Sequence, residues 1–109
     1  MSKTKSTSWE RLRTDETREL EEMLRNEFDR VDAYRYNSAS IRVRVIDPRF
    51  EGKTVTQRDA MVERVLKRLP PSTQADIVNL LTLAPSEMND RSRLSFRNFE
   101  FEDPSPSQL

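Results

Sequence analysis

The sequence predicts an α+β domain: a small three-stranded mixed sheet with helices on one face, in the order α-β-β-α-α-β. Three observations predict it. Apolar residues recur at helical spacing over 15–30 and again over 54–69. Residues 40–47 alternate between apolar and polar, as a half-buried strand does. Residues 77–83 form a continuous apolar run after a proline-bounded turn, as a strand partly buried on both faces does.

Each element follows from local chemistry. Residues 1–14 read as a polar arm, with Trp9 and Leu12 either extending the first helix upstream or forming a separate apolar flap. Thr7 with Glu10 makes one candidate capping box, and Thr14 is a second candidate N-cap. The firm helix runs from Asp15 to Arg30, with Leu20, Met23, Leu24, Phe28 and Val31 on one stripe. Glu21 and Glu22 precede Arg25 at ion-pair spacing and read as surface charges.

Residues 31–36 and 40–47 are the two strands of a hairpin, joined by the turn-like Asn37-Ser38-Ala39-Ser40. Ideal pairing across that turn sets Tyr36 against Ile41 and Tyr34 against Val43 on the core face. Arg35 then faces Arg42 on the outer face, with Arg44 beside them, and like charges in register repel. Asp47-Pro48 ends the second strand. Gly52, the sole glycine, reads as a left-handed turn and not a phosphate cradle. Phe50 beside it reads as a core plug.

Thr54 with Gln57 forms a capping box for the second helix, whose apolar face carries Met61, Val62, Val65, Leu66 and Leu69. Pro70-Pro71 stops it, and 71–76 fit one short helical turn. A right-handed crossover then lays 77–83 parallel to 40–47. The domain spans 15–85, and 86–109 form a hydrophobic–acidic tail.

Composition narrows the function. The chain has 109 residues, which suits one domain, with charged residues at 35% and hydrophobic ones at 34%. No cysteine and no histidine are present, which removes thiol nucleophiles, thiolate and imidazole metal ligands, and the usual neutral-pH base. The expectation is no enzyme, no cofactor and no metal. No apolar run is long enough for a membrane span and no leader pattern opens the sequence, so the expected setting is cytoplasmic, away from membranes. Net charge is zero, yet residues 38–69 carry net +4 while 70–109 carry net −3. Arginine outnumbers lysine 15 to 4, which suits phosphate or carboxylate recognition.

The segment Phe50-Glu51-Gly52-Lys53-Thr54-Val55-Thr56-Gln57-Arg58-Asp59-Ala60-Met61-Val62 resembles the signature of BolA-like proteins, F-x-G-K-[ST]-x-x-x-R-H-x-x-V. The order of elements over about 16–85 is similar to that family's class II KH-like fold. The resemblance implies a nucleic-acid-binding surface around the loop and long helix, and pairing with a monothiol glutaredoxin through a shared iron–sulphur cluster. The family's R-H pair is Arg58-Asp59 here, and its second histidine has no counterpart near Asp76-Ile77. Soft clusters prefer thiolate and imidazole, so no cluster ligation by this chain is expected.

The sequence therefore reads as a non-enzymatic binding module or regulator. Arg49, Lys53 and Arg58 on the loop and helix, with Arg35, Arg42 and Arg44 on the sheet, are the candidate anion-binding residues. Lys53 leads this group, whereas Arg58 also suits capping loop or strand carbonyls, and Asp59, Glu63 and Lys67 read as an exposed helix edge. The expected partner is nucleic acid, bound weakly and salt-dependently, or a protein. The alternative is a purely protein-interacting adaptor, for example for a glutaredoxin-type partner, working through Phe96, Phe99 and Phe101 of the tail. That tail, with Leu94 and the acids Glu100, Glu102 and Asp103, either docks on the outer sheet face beside Val78 and Leu80 or serves as a recognition arm.

Overall fold

Thr14 starts the first helix by a capping box, its hydroxyl accepting from the Thr17 backbone N–H while the Thr17 hydroxyl accepts from the Thr14 N–H. The architecture is seen in a computed structural model that describes residues 9–89. A 3₁₀ turn at Trp9–Leu12 precedes α1, Asp15–Arg25. The helix ends five residues before the sequence suggests. Asn26 caps it, and Phe28 and Val31 reach the core from the connection and the next strand.

Strand β1 spans Arg30–Asn37 and β2 spans Ser40–Ile46, paired antiparallel. A second 3₁₀ turn, Pro48–Phe50, leads to α2, Val55–Leu66, whose capping box between Thr54 and Gln57 is present in both directions. Then come α3, Pro71–Asp76, and β3, Ile77–Leu83, which lies parallel to β2. A last 3₁₀ turn covers Pro85–Asn89. The strand order is β1-β2-β3. The α-β-β-α-α-β order and the parallel third strand agree with the sequence reading.

One face of the sheet holds the main core. Val31, Ala33, Ile41, Val43 and Val45 meet Leu20 and Leu24 of α1 and Val62, Val65 and Leu66 of α2. Phe28 and Phe50 close one end, their ring centres 5.8 Å apart. Each such side chain contributes about 1.5–3 kcal/mol on burial.

The hairpin register differs from the ideal one. Arg35 pairs with Ile41, Tyr34 with Arg42, Ala33 with Val43 and Asp32 with Arg44, after an irregularity between Arg35 and Asn37. The extra residue is a bulge, which moves every β1 side chain to the opposite face. Tyr34 and Tyr36 therefore leave the core face and join Arg42 and Arg44 outside. Arg35 goes to the helix side, where it pairs with Glu16 at 3.4 Å and Asp76 at 3.0 Å. The expected opposition of Arg35 and Arg42 does not occur: Tyr34 lies opposite Arg42, and Asp32 lies opposite Arg44.

Candidate functional site

The loop between β2 and α2 is built around one carboxylate. Asp47 is buried, yet its oxygens accept from the Arg49 N–H at 2.8 Å, the Arg49 Nε at 2.9 Å and the Asp29 N–H at 3.0 Å. Burial pushes its pKa up, but the bonds from Arg49 and Asp29 outweigh that and hold it below the ordinary aspartate value. Arg49 stays on the surface. Its guanidinium lies 5.0 Å from the Phe28 ring centre and also donates to the Glu27 carbonyl. The chain then turns at Gly52, whose φ is 75°, a value that L residues adopt at a cost. Lys53, Thr54, Val55, Thr56 and Gln57 follow on the exposed corner at the start of α2.

Arg58 sits beneath this corner and is buried. Its Nε donates to the Lys53 carbonyl at 3.0 Å, and its Nη1 to the Thr82 carbonyl at 3.1 Å. Two further bonds of 2.8 Å run from its Nη atoms to the two carboxylate oxygens of Glu87. Those bonds raise its pKa despite burial, so it stays charged. Arg58 thus ties the loop, the end of β3 and the last 3₁₀ turn together. Its neighbour Asp59 is half-buried and accepts the Thr82 hydroxyl at 3.1 Å, so it is not the freely solvated edge residue that its spacing suggests.

The structure groups Arg49, Lys53 and Arg58 at one corner and separates them from the sheet arginines. Arg44 is buried, and its Nε and Nη2 both donate to Asp32 Oδ2, at 3.1 and 2.7 Å. Arg42 stacks 3.8 Å from the Tyr36 ring centre and donates to the Tyr34 hydroxyl at 2.9 Å. Arg35 lies on the opposite face from both. Phe96, Phe99 and Phe101 fall outside the described residues.

A further set of cations lies outside the candidate binding residues of the sequence reading, which took Lys67 only as an exposed helix edge. Arg64, Lys67 and Arg68 are all exposed on α2 or its C-terminal cap. Gln57, Ala60, Arg64 and Lys67 follow the helical repeat of three and four residues, so they form one stripe along the solvent side of α2, and exposed Lys53 stands in the loop just before the helix cap. The spacing of Arg64 and Lys67 is present in the sequence, but on a charged helix face it reads the same as a solvated edge. Beside the stripe lies an open groove of about 390 Å³ between α2, α3 and β3. Leu66, Ile77, Val78 and Leu80 give it apolar walls, and Lys67, Glu63 and Gln74 its polar rim. Lys67 belongs to both stripe and groove.

The donor set does not fit an iron–sulphur cluster. The chain supplies no thiolate and no imidazole, and Asp59, at the family's histidine position, is a hard carboxylate engaged with Thr82. Among the described residues no three acidic side chains converge as metal ligands, and no helix is long and apolar enough to cross a membrane.

Comparison with solved structures returns BolA1 from Arabidopsis thaliana at a TM-score of 0.53 and 17% identity, covering 68% of this chain and 96% of that one. The fold is BolA-like. No protein-family profile matches the chain. No curated protein matches it either.

Proposed function

We propose that the chain is a non-enzymatic, cytoplasmic binding module or regulator, and that α2 carries its working surface. The observation behind this reading is that the exposed cations of α2, Arg64 and Lys67, lie beside the apolar groove at β3, with Lys67 on its rim and exposed Lys53 before the helix cap. Exposed cations neutralise phosphates, and an apolar groove beside them accepts an unstacked base. Arg49 adds a cation at the loop, while Arg58 and Arg44 act as struts that hold the surface in shape. Nucleic acid, bound weakly and with little sequence preference, is the favoured partner. Glu63 on the groove rim and the zero net charge of the chain keep such binding weak.

A partner protein is the second reading. It is favoured by two exposed valines, Val55 at 57% and Val78 at 55%, which flank the stripe and groove. The test is titration of the full chain with single-stranded RNA and with DNA at low salt. Saturable, salt-sensitive binding supports the first reading. No binding to either, with a V55D or V78D variant losing a captured protein, supports the second.

A further inference from the structure

We propose that residues 90–109 cover the outer face of the sheet, the face turned away from α1 and α2. The first argument is burial. Tyr34 is 0% exposed, Arg44 3%, Ile46 5%, and Leu81 and Leu83 6% each. They come from all three strands and share the outer face, as the register of Arg44 with Leu81 and of Ile46 with Leu83 requires. Both long helices pack on the other face. Among the described residues, Met88 is the one off-sheet side chain in the apolar cluster of Ile46, Leu81 and Leu83. Met88 meets this face at its β3 side, and the 3₁₀ turn Trp9–Leu12 lies against β1; among the described residues no other off-sheet side chain joins the apolar cluster between them.

The second argument is where the chain goes. Met88 seats the last 3₁₀ turn, Pro85–Asn89, against this face. Twenty residues remain. An extended chain advances about 3.3 Å per residue, and three strands are about 10 Å across, so the aromatic stretch begins within reach.

The third argument is composition. Residues 90–109 carry Leu94, Phe96, Phe99 and Phe101, and the acids Glu100, Glu102 and Asp103. The outer face presents apolar side chains at its β3 side. At its β1–β2 side the described residues place the guanidinium groups of Arg30, Arg42 and Arg44 beside Asp32. The tail's apolar groups match the first part and its acids the second. The sequence expected such a cover over Val78 and Leu80. The register places the covered residues at Leu81 and Leu83, with Leu80 packed on the helix side. This face lies away from the α2 groove, so its cover leaves that surface open, and the inference stands apart from the proposed function.

Nuclear Overhauser spectra of the isotope-labelled full chain test it. The expected result is cross-peaks from the rings of Phe96, Phe99 or Phe101 to the methyl groups of Leu81, Leu83 or Ile46. Replacing the three phenylalanines by serine in the full chain should then at least double the rate at which a soluble quencher reaches the Tyr34 ring. Absence of those cross-peaks overturns the proposal. So does their appearance only between differently labelled molecules, which assigns the face to a second copy.

Discussion

Arg58 and Glu87 meet in a two-pronged ion pair, with Nη1–Oε1 and Nη2–Oε2 both at 2.8 Å. The pair joins α2 to the turn after β3 across 29 positions of sequence. Glu87 Oε1 also accepts from the Ala84 N–H at 3.0 Å, so the carboxylate caps the turn that it anchors. The resemblance to a family signature marks Arg58 as a functional cation, yet its geometry is that of a brace.

Removing that brace should destabilise the fold strongly. R58A takes a charged donor away from the Thr82 and Lys53 carbonyls and from the Glu87 carboxylate in a poorly solvated place. The expected loss is about 3 kcal/mol, read from urea unfolding. R58K should recover only part of this, because an ammonium cannot hold both carboxylate oxygens and both carbonyls. A loss below about 0.5 kcal/mol for R58A would remove Arg58 from this structural role.

Glu21 is a second hidden strut. It is 2% exposed, accepts the Ala33 N–H at 2.8 Å and pairs with Arg13 at 3.0 Å. Ala33 lies on β1, an edge strand among the described residues, so its N–H takes a side chain as its acceptor. E21A should leave that N–H unsatisfied and lower stability by about 2 kcal/mol. E21Q keeps an acceptor and should cost less, and equal losses in the two variants would contradict this account.

The element order was legible because each boundary carries its own signal: Thr14 and Thr54 as caps, Pro48 and Pro70 as stops, Gly52 as the left-handed turn. The hairpin face was not. In Val31–Tyr36 both alternate sets hold apolar groups, Val31 with Ala33 and Tyr34 with Tyr36, so the pattern does not choose. The bulge before Asn37 chooses, and it has no strong sequence mark. Charge offered a hint, since only the observed register sets Asp32 opposite Arg44. At the loop, Lys53 reads correctly as exposed. Arg58 reads in the sequence as suited to capping loop or strand carbonyls, and it donates to those of Lys53 and Thr82. Its ion pair with Glu87 and the burial of Arg44 against Asp32 were hidden, because those acids become neighbours only through β3 and the shifted register.

Gly52 should resist substitution for a backbone reason alone. Its φ is 75°, and a Cβ added there meets nothing within 4 Å. G52A should therefore cost about 1 kcal/mol, from left-handed strain without a clash. G52N should cost less, since asparagine tolerates this region better. A much larger loss for alanine, measured by thermal unfolding, would show a contact that the open surroundings do not contain.

Asp47 should give the protein an acid limb. Its pKa is lower in the folded chain than the ordinary 3.8, so the unfolded chain binds the proton more readily. The stabilisation is then fully present above that ordinary value and is lost as pH falls through the lower folded value. The stability gap between wild type and D47N should be constant above about pH 5 and shrink below about pH 4. A gap that stays constant down to pH 2 would mean that Arg49 and the Asp29 N–H do not favour the charged form.

The cations on and before α2 make the sharpest functional prediction. If Lys53, Arg64 and Lys67 each neutralise a phosphate, binding should release about one counterion per contact, and log affinity should fall linearly with log salt. K53A, R64A and K67A should each reduce that slope by about one unit, leave sequence preference unchanged, and add roughly independently. All three residues are exposed, so unfolding stability should shift by no more than about 0.5 kcal/mol, which separates lost contacts from lost structure. R44A is the contrasting variant. It should lower stability through the uncovered Asp32, while the salt slope of the folded fraction stays at the wild-type value. If the slope instead follows Arg44 and ignores the α2 residues, the phosphate contacts belong to the sheet and the surface proposed here is the wrong one.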